Sequence, residues 1–254
     1  MCLLTCVSCS GGIGFGLVEE FVKGGAKVLL TGRREEELKK AQAKFPQQVL
    51  KYYVGDAGKE ADRIRLFEQS TRDFPALNVL INNAGIQRRG DHSKEIAESW
   101  ATRQSEIDIN LSGPIHLTSL FIPHLLKQKQ AAIINVSSGL AFVPFVAGPV
   151  YSATKAAIHQ YTLAIRPLLA DSSVRVCELI PPAVKSNLGG SHDFGEEMDE
   201  FCQHVYGKFV EGELEFGYKF SDMGRLGSRQ DHAKAMMGML KNPSEPVPKF
   251  ESKA

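Results

Sequence analysis

The sequence predicts an α/β fold in one domain, a doubly wound, Rossmann-type parallel sheet with helices on both faces. Short apolar runs alternate with longer stretches of helical periodicity, the order that right-handed strand–helix–strand crossovers produce. Most of these runs are apolar throughout, as expected of strands covered on both faces. A glycine-rich turn separates the first run from the first helical stretch, where open α/β sheets receive ligands.

The runs fall at 3–7, 27–31, 50–54, 79–81, 132–136 and 174–180. After the first, Ile13, Leu17 and Phe21 recur every fourth position and so share one helix face, with Gly24 and Gly25 as C-terminal stops. Ala61, Ile64 and Phe67 mark a helix after the third run, and a long helical pattern covers about 96–128. Residues 189–227 break the alternation. Met198, Phe201 and Val205 make this segment partly helical, glycines interrupt it, and it is expected to cover the substrate. No final strand is evident, residues 215–220 being a poor candidate. The catalytic domain is expected to span 1–241. Pro243, Pro246 and Pro248 mark 242–254 as a flexible tail.

Composition narrows the function. The 254 residues carry 30 Lys and Arg against 29 Asp and Glu, a net charge of +1, with no basic footprint for nucleic acid or an anionic membrane. No apolar run approaches the ~20 residues of a membrane-spanning helix, and no secretory leader is apparent. Five cysteines argue for a reducing compartment, so a cytoplasmic location is expected. Cys2, Cys6 and Cys9 have the C-x3-C-x2-C spacing of an iron–sulfur site, but they fall across a strand and its turn. Reduced cysteines are the favoured reading, and no metal site is expected.

Four local patterns carry chemistry. Ser8, Ser10, Gly12, Ile13 and Gly14 form a turn whose backbone, with the positive end of the following helix, suits a pyrophosphate. The second run ends Gly32-Arg33-Arg34, where an NAD site usually carries a carboxylate; Arg33 instead suits a 2′-phosphate and predicts NADP(H), with NAD(H) as the second choice. The competing reading pairs these arginines with Glu35, Glu36 and Glu37. Tyr151 and Lys155 lie one helical turn apart, so an ammonium can draw the phenol towards acid–base service, and Ser138 ends the preceding strand. Pro114 lacks the N–H that would bond the carbonyl of Asn110, so the long helix should kink there and leave an acceptor for water.

Together these segments resemble the short-chain dehydrogenase/reductase family. The resemblance rests on Gly12-Ile13-Gly14, Asp56, Asn82-Asn83-Ala84-Gly85, Asn110, Asn135-Val136-Ser137-Ser138, Tyr151-x3-Lys155 and Pro181-Pro182-Ala183-Val184, in order across about residues 3–190. It implies hydride exchange between a nicotinamide and a carbonyl or secondary alcohol. Tyr151 is then the general acid, Ser138 polarises the carbonyl, Lys155 holds the nicotinamide ribose, and Asn110 organises a water relay. Asp56 would meet adenine, Asn83, Ala84 and Gly85 the adenosine-ribose side, and Val184 the carboxamide; Ser186 stands where a threonine is common. Family members often pair through their two long helices, here near 96–128 and 151–169, so a homodimer or homotetramer is expected.

One departure supports a competing function. The family's turn begins Thr-Gly, whereas this chain has Val7-Ser8, and a Cβ there opposes a positive φ. A catalytically silent nucleotide-binding or interaction protein of the same fold is the alternative. The apolar stretch 140–146, with Phe194, Met198, Phe201 and Tyr206 as a roof, suggests a compact apolar carbonyl substrate.

Overall fold

Residues buried on both sides of a sheet have no solvent face to mark with polar side chains, which is why the strands read as unbroken apolar runs. The computed structural model describes residues 3–7, 12–46, 49–90, 99–190 and 194–241. Among the described residues seven parallel strands are present: β1 (Leu3–Val7), β2 (Lys27–Gly32), β3 (Leu50–Val54), β4 (Val79–Asn82), β5 (Ala131–Val136), β6 (Val174–Leu179) and β7 (Glu215–Phe216), in the order β3-β2-β1-β4-β5-β6-β7. Every residue of β4 and β5 is buried. The order reverses between β1 and β4, and a doubly wound sheet opens its ligand crevice beyond the strand ends at that point.

The seventh strand corrects the expectation that none would be found. It is a Glu-Phe pair bonded in register to Glu178 and Leu179 of β6. Two residues are too few to show an alternation, so the sequence carries no period there.

Helices α1 (Gly12–Lys23), α2 (Glu35–Ala43) and α3 (Glu60–Asp73) connect the first four strands. The long helical pattern divides into α4 (Trp100–Ile107), a π-turn over Asp108–Ser112, and α5 (Gly113–Leu125). The N–H of Gly113 reaches back five residues to the carbonyl of Asp108. Pro114 thus produces a π-turn where a kink was expected, one of the usual ways a helix absorbs an interrupted ladder. The turn passes close to the loop after β3: a Cβ on Gly113 would stand 2.9 Å from the Ala57 carbonyl, a distance only glycine permits. Next come α6 (Pro149–Ile165), α7 (Met198–Glu211), α8 (Phe220–Leu226) and α9 (Arg229–Lys241).

Two apolar clusters, one on each face, hold the helices to the sheet. Leu17, Val18 and Phe21 of α1 pack with Phe201 and Val205 of α7 on one face. Leu117, Phe121 and Leu125 of α5 pack with Ile133, Val176 and Ile165 on the other. Phe201 is fully buried, Met198 and Tyr206 pack against the first cluster, and Tyr206 stands edge-on to Phe21 at 5.0 Å. These three side chains therefore belong to the α1–α7 core and not to a substrate roof. Of the four aromatic and methionine residues assigned to a roof, Phe194 alone is exposed, at 54%.

A polar row crosses the sheet beneath α5 and α6, with Asn82, Asn135 and Glu178 in register. Asn82 Nδ2 donates to Asn135 Oδ1 at 2.8 Å and Thr118 Oγ1 at 3.0 Å, and Asn135 Nδ2 donates to Thr162 Oγ1 at 2.9 Å. Glu178 Oε2 lies 2.9 Å from His159 Nδ1, and that hydrogen bond holds the imidazole above its ordinary range. Buried polar groups need such partners, so the row fixes the lateral position of both helices. No helix among the described residues is long and apolar enough to cross a membrane. The expected tail at 242–254, the turn residues Ser8 and Ser10, and Cys2 and Cys9 lie outside the described residues.

Candidate active site

Helix α6 begins with Pro149 in its first turn, where a missing N–H costs nothing, and this start sets Tyr151 and Lys155 against the end of β5. Tyr151 is 5% exposed and Lys155 4%. The Tyr151 phenol stands near the Ser138 side chain, which favours its ionised form. Ser138 follows β5 in extended conformation and its Oγ accepts from the Leu140 N–H at 3.1 Å, so a local turn fixes the hydroxyl. Lys155 Nζ lies 5.6 Å from the Tyr151 ring centre and donates to the Val136 carbonyl at 2.8 Å.

Asn110 completes the cluster from the π-turn. It is wholly buried. Its Oδ1 accepts from the Ile86 N–H at 2.9 Å while its Nδ2 donates to the Ile86 carbonyl at 2.8 Å. A second donation, 3.3 Å to Thr154 Oγ1, ties it to α6 between Tyr151 and Lys155. A Cβ built on Gly85 would lie 3.6 Å from both Asn110 Oδ1 and Lys155 Nζ, so these two groups share one small space beside the β4 loop. The structure thus brings Asn110, Ser138, Tyr151 and Lys155 together at the C-terminal ends of β4 and β5.

The electrostatics differ from the spacing argument. Burial pushes the Tyr151 phenol up to about 12; the nearby Ser138 hydroxyl opposes that shift and the Glu106 charge adds to it. Burial also pulls the Lys155 ammonium down to about 8. The lysine is directed at a backbone carbonyl, and desolvation outweighs its attraction for phenolate. Glu106 was not singled out from the sequence. It is 1% exposed on α4 and accepts from the Arg88 N–H at 3.1 Å; an acid inside a helical pattern gives no sign that it will face a phenol.

A cleft lies beside this cluster, lined among others by Gly32, Arg33, Asp56, Ala84, Gly85 and Ile86. It joins the ends of β2, β3 and β4. Asp56 Oδ1 accepts from the Gly58 N–H at 2.9 Å, and the Asp56 N–H donates to Asp62 at 2.8 Å. Asn83, next to Ala84, does not line the cleft. A second, smaller pocket shares Gly55, Asp56 and Ala57 with it and is lined by the buried Arg63. Arg63 donates to His116 Nδ1 at 3.0 Å and to the Ala57 carbonyl at 2.7 Å, bracing the loop that carries Asp56. Its place within a helix gave no hint of this.

The glutamates that might have claimed Arg33 pair elsewhere. Glu35 and Glu36 reach Lys39 at 3.4 and 3.0 Å, and Glu37 reaches Lys40 at 3.0 Å, all at one-turn spacing. Arg33 has no ion-pair partner among the described residues and sits on the cleft wall. On the other side, Gly12 opens α1 at φ +61°, and a Cβ there would come within 3.7 Å of Ser186 Cβ. Ile13 and the buried Gly14 follow in the first turn, and Val184, 3% exposed, forms a bridge with Glu196.

A doubly wound sheet with a Ser–Tyr–Lys–Asn cluster beside its crevice defines a class of oxidoreductase. The chain belongs to the short-chain dehydrogenase family, whose model matches residues 4–196. It is 37% identical over 230 residues to an uncharacterized oxidoreductase, DltE, of Bacillus subtilis, covering 88% of this chain and 90% of that one. It is 32% identical over 180 residues, 69% of each chain, to the NADP-dependent 3-hydroxy acid dehydrogenase YdfG of Salmonella typhi. Its fold matches a short-chain dehydrogenase from Sphingobium yanoikuyae in complex with NADPH at a TM-score of 0.78, with 20% identity over 100% of both chains.

Proposed function

We propose that this chain catalyses hydride transfer between NADP(H) and a carbonyl compound or its secondary alcohol. The observation that carries the reading is the buried cluster of Asn110, Ser138, Tyr151 and Lys155 beside a cleft walled by Arg33, which has no ion-pair partner among the described residues. The residues present fit a dinucleotide. Arg33 offers a planar fork for a 2′-phosphate, Asp56 would meet adenine in the same cleft, and Ala84 and Gly85, which line it, would stand on the adenosine-ribose side with Asn83 beside them. Ser8, Ser10, Gly12, Ile13 and Gly14 would hold the pyrophosphate, Lys155 and Tyr151 the nicotinamide ribose, and Val184 and Ser186 the carboxamide side. NAD(H) is the weaker choice, since no carboxylate stands at Gly32 to accept from a 2′-hydroxyl.

When bound, the nicotinamide supplies or accepts the hydride, and the protein manages position and protons. In reduction, the Tyr151 hydroxyl donates its proton to the carbonyl oxygen while Ser138 donates a hydrogen bond to it as negative charge develops. A phenol kept protonated by burial is in the correct state for that step. Lys155 lies behind it as the next donor. The Asn110 carbonyl, which Pro114 deprives of its helical donor, holds a water that links Lys155 to solvent. The same reading makes the protein a cytoplasmic homodimer or homotetramer built on the α4–α5 and α6 faces. The intact tetrad favours this activity over a silent nucleotide-binding protein.

The cofactor choice is tested by Arg33→Ser. Affinity for NADPH, measured by fluorescence titration, should fall about 10- to 100-fold, the range for a lost charge-assisted contact, while NADH affinity stays near the wild-type value. An equal loss for both dinucleotides would contradict the role assigned to Arg33.

A further inference from the structure

The segment that follows β4 carries a cation the proposed reaction does not use. Ile86 is clamped by Asn110, and four residues later the Gly90 N–H donates to the Ala147 carbonyl at 2.9 Å. Residues 86–90 therefore run from the catalytic cluster along the loop between Ser138 and Tyr151. Phe145 in that loop is fixed by its own N–H, which donates to Ser152 Oγ at 2.9 Å, one residue beyond Tyr151.

Arg89 lies against that loop. Its guanidinium carbon lies 5.6 Å from the Phe145 ring centre and 5.8 Å from that of Phe194. One amino group donates to Gln87 Oε1 at 3.3 Å. On the third side, a Cβ on Gly189 would meet Gln87 Oε1 at 2.5 Å and Arg89 Nε at 3.1 Å, so the stretch after β6 also closes on this side chain. Arg89 is exposed, and among the described residues no carboxylate pairs with it.

Aromatic rings favour a guanidinium and limit its motion without neutralising it. A cation placed this way costs little rotamer entropy when an anion arrives, because neighbouring side chains have already ordered it. A single planar fork matches a single planar anion in two parallel hydrogen bonds. With Met198, Phe201 and Tyr206 withdrawn into the α1–α7 core, the polar group on the loop that follows Ser138 is this arginine between two rings.

We infer that Arg89, held by Phe145, Phe194 and Gln87, recognises a carboxylate on the substrate, so that the substrate class is an oxo acid and its hydroxy acid. This rests on the oxidoreductase reading of the same site and replaces the compact apolar carbonyl suggested by the sequence. Arg89 is a specificity residue, and chemistry stays with Tyr151 and Ser138.

The test compares 3-oxobutanoate with its methyl ester, each reduced with NADPH by wild type, Arg89→Leu and Arg89→Lys. The wild type should favour the acid in kcat/KM. Arg89→Leu should lower the acid-to-ester ratio about 10- to 100-fold, chiefly through KM of the acid, and Arg89→Lys should restore part of it as charge without the fork. A ratio unchanged in Arg89→Leu, or a wild type that favours the ester, overturns the inference. Calorimetric titration with butanoate in the presence of NADP+ separates this from the parent reading. Arg89-dependent butanoate binding without turnover would fail the oxidoreductase reading and uphold the carboxylate site. Butanoate binding that is absent, or equal in wild type and Arg89→Leu, with no turnover of either substrate, would overturn the carboxylate site.

Discussion

Replacing Tyr151 with Phe is expected to lower kcat for carbonyl reduction by about 10²- to 10⁴-fold, the usual contribution of a positioned acid. The substitution removes one oxygen and keeps the ring that fills the start of α6, so the thermal transition should stay close to wild type. Ser138 keeps its Leu140 partner and its place at the strand end. NADPH binding should weaken by no more than about tenfold, because the phenol makes one contact to the nicotinamide ribose while Lys155 and the cleft at Arg33 and Asp56 remain. Steady-state kinetics beside a fluorescence titration make the comparison. A kcat within about tenfold of wild type would show that another group delivers the proton.

The second large effect concerns pH. In the described protein the phenol stands near 12 and the ammonium near 8, both shifted by burial. The signs then separate. Reduction needs protonated Tyr151, which persists far above neutral pH, so the tyrosine should impose no alkaline limb in the usual working range. Lys155 is charged below about 8 and neutral above it, so the reduction rate should fall as pH rises through that value. Lys155→Met should lose activity at neutral pH by about 100-fold, as when one donor at a reacting oxygen is removed, and should lose the limb as well. A limb near pH 8 that survives in Lys155→Met would assign it to another group.

Much of this was legible in the sequence, for identifiable reasons. Burial on both faces leaves β4 and β5 apolar except for Asn82 and Asn135, and a missing N–H at Pro114 locates the break in the long helix. The Tyr151–Lys155 spacing places both groups on one face of α6. Periodicity says which residues share a helix face and is silent about what that face meets. Met198, Phe201 and Tyr206 thus fitted a substrate roof as well as the α1–α7 core they occupy. The same limit applies to charge. Glu35, Glu36 and Glu37 follow two arginines, yet Lys39 and Lys40 take them at one-turn spacing. Glu106 and Arg63 act across long sequence separations, on Tyr151 and on the Asp56 loop, and no local pattern marks such pairs. Direction of pKa shift was also hidden, since it depends on burial that spacing does not reveal.

The central claim is that Ser138, Tyr151 and Lys155 converge beside a nicotinamide held at the switch point between β1 and β4. A crystal structure of the protein with NADPH tests it most directly. The adenosine should lie in the cleft of Asp56 and Ala84 with its 2′-phosphate on Arg33, and the nicotinamide should face the Tyr151 hydroxyl. A dinucleotide bound away from that cleft, or a nicotinamide directed away from Tyr151, would contradict it.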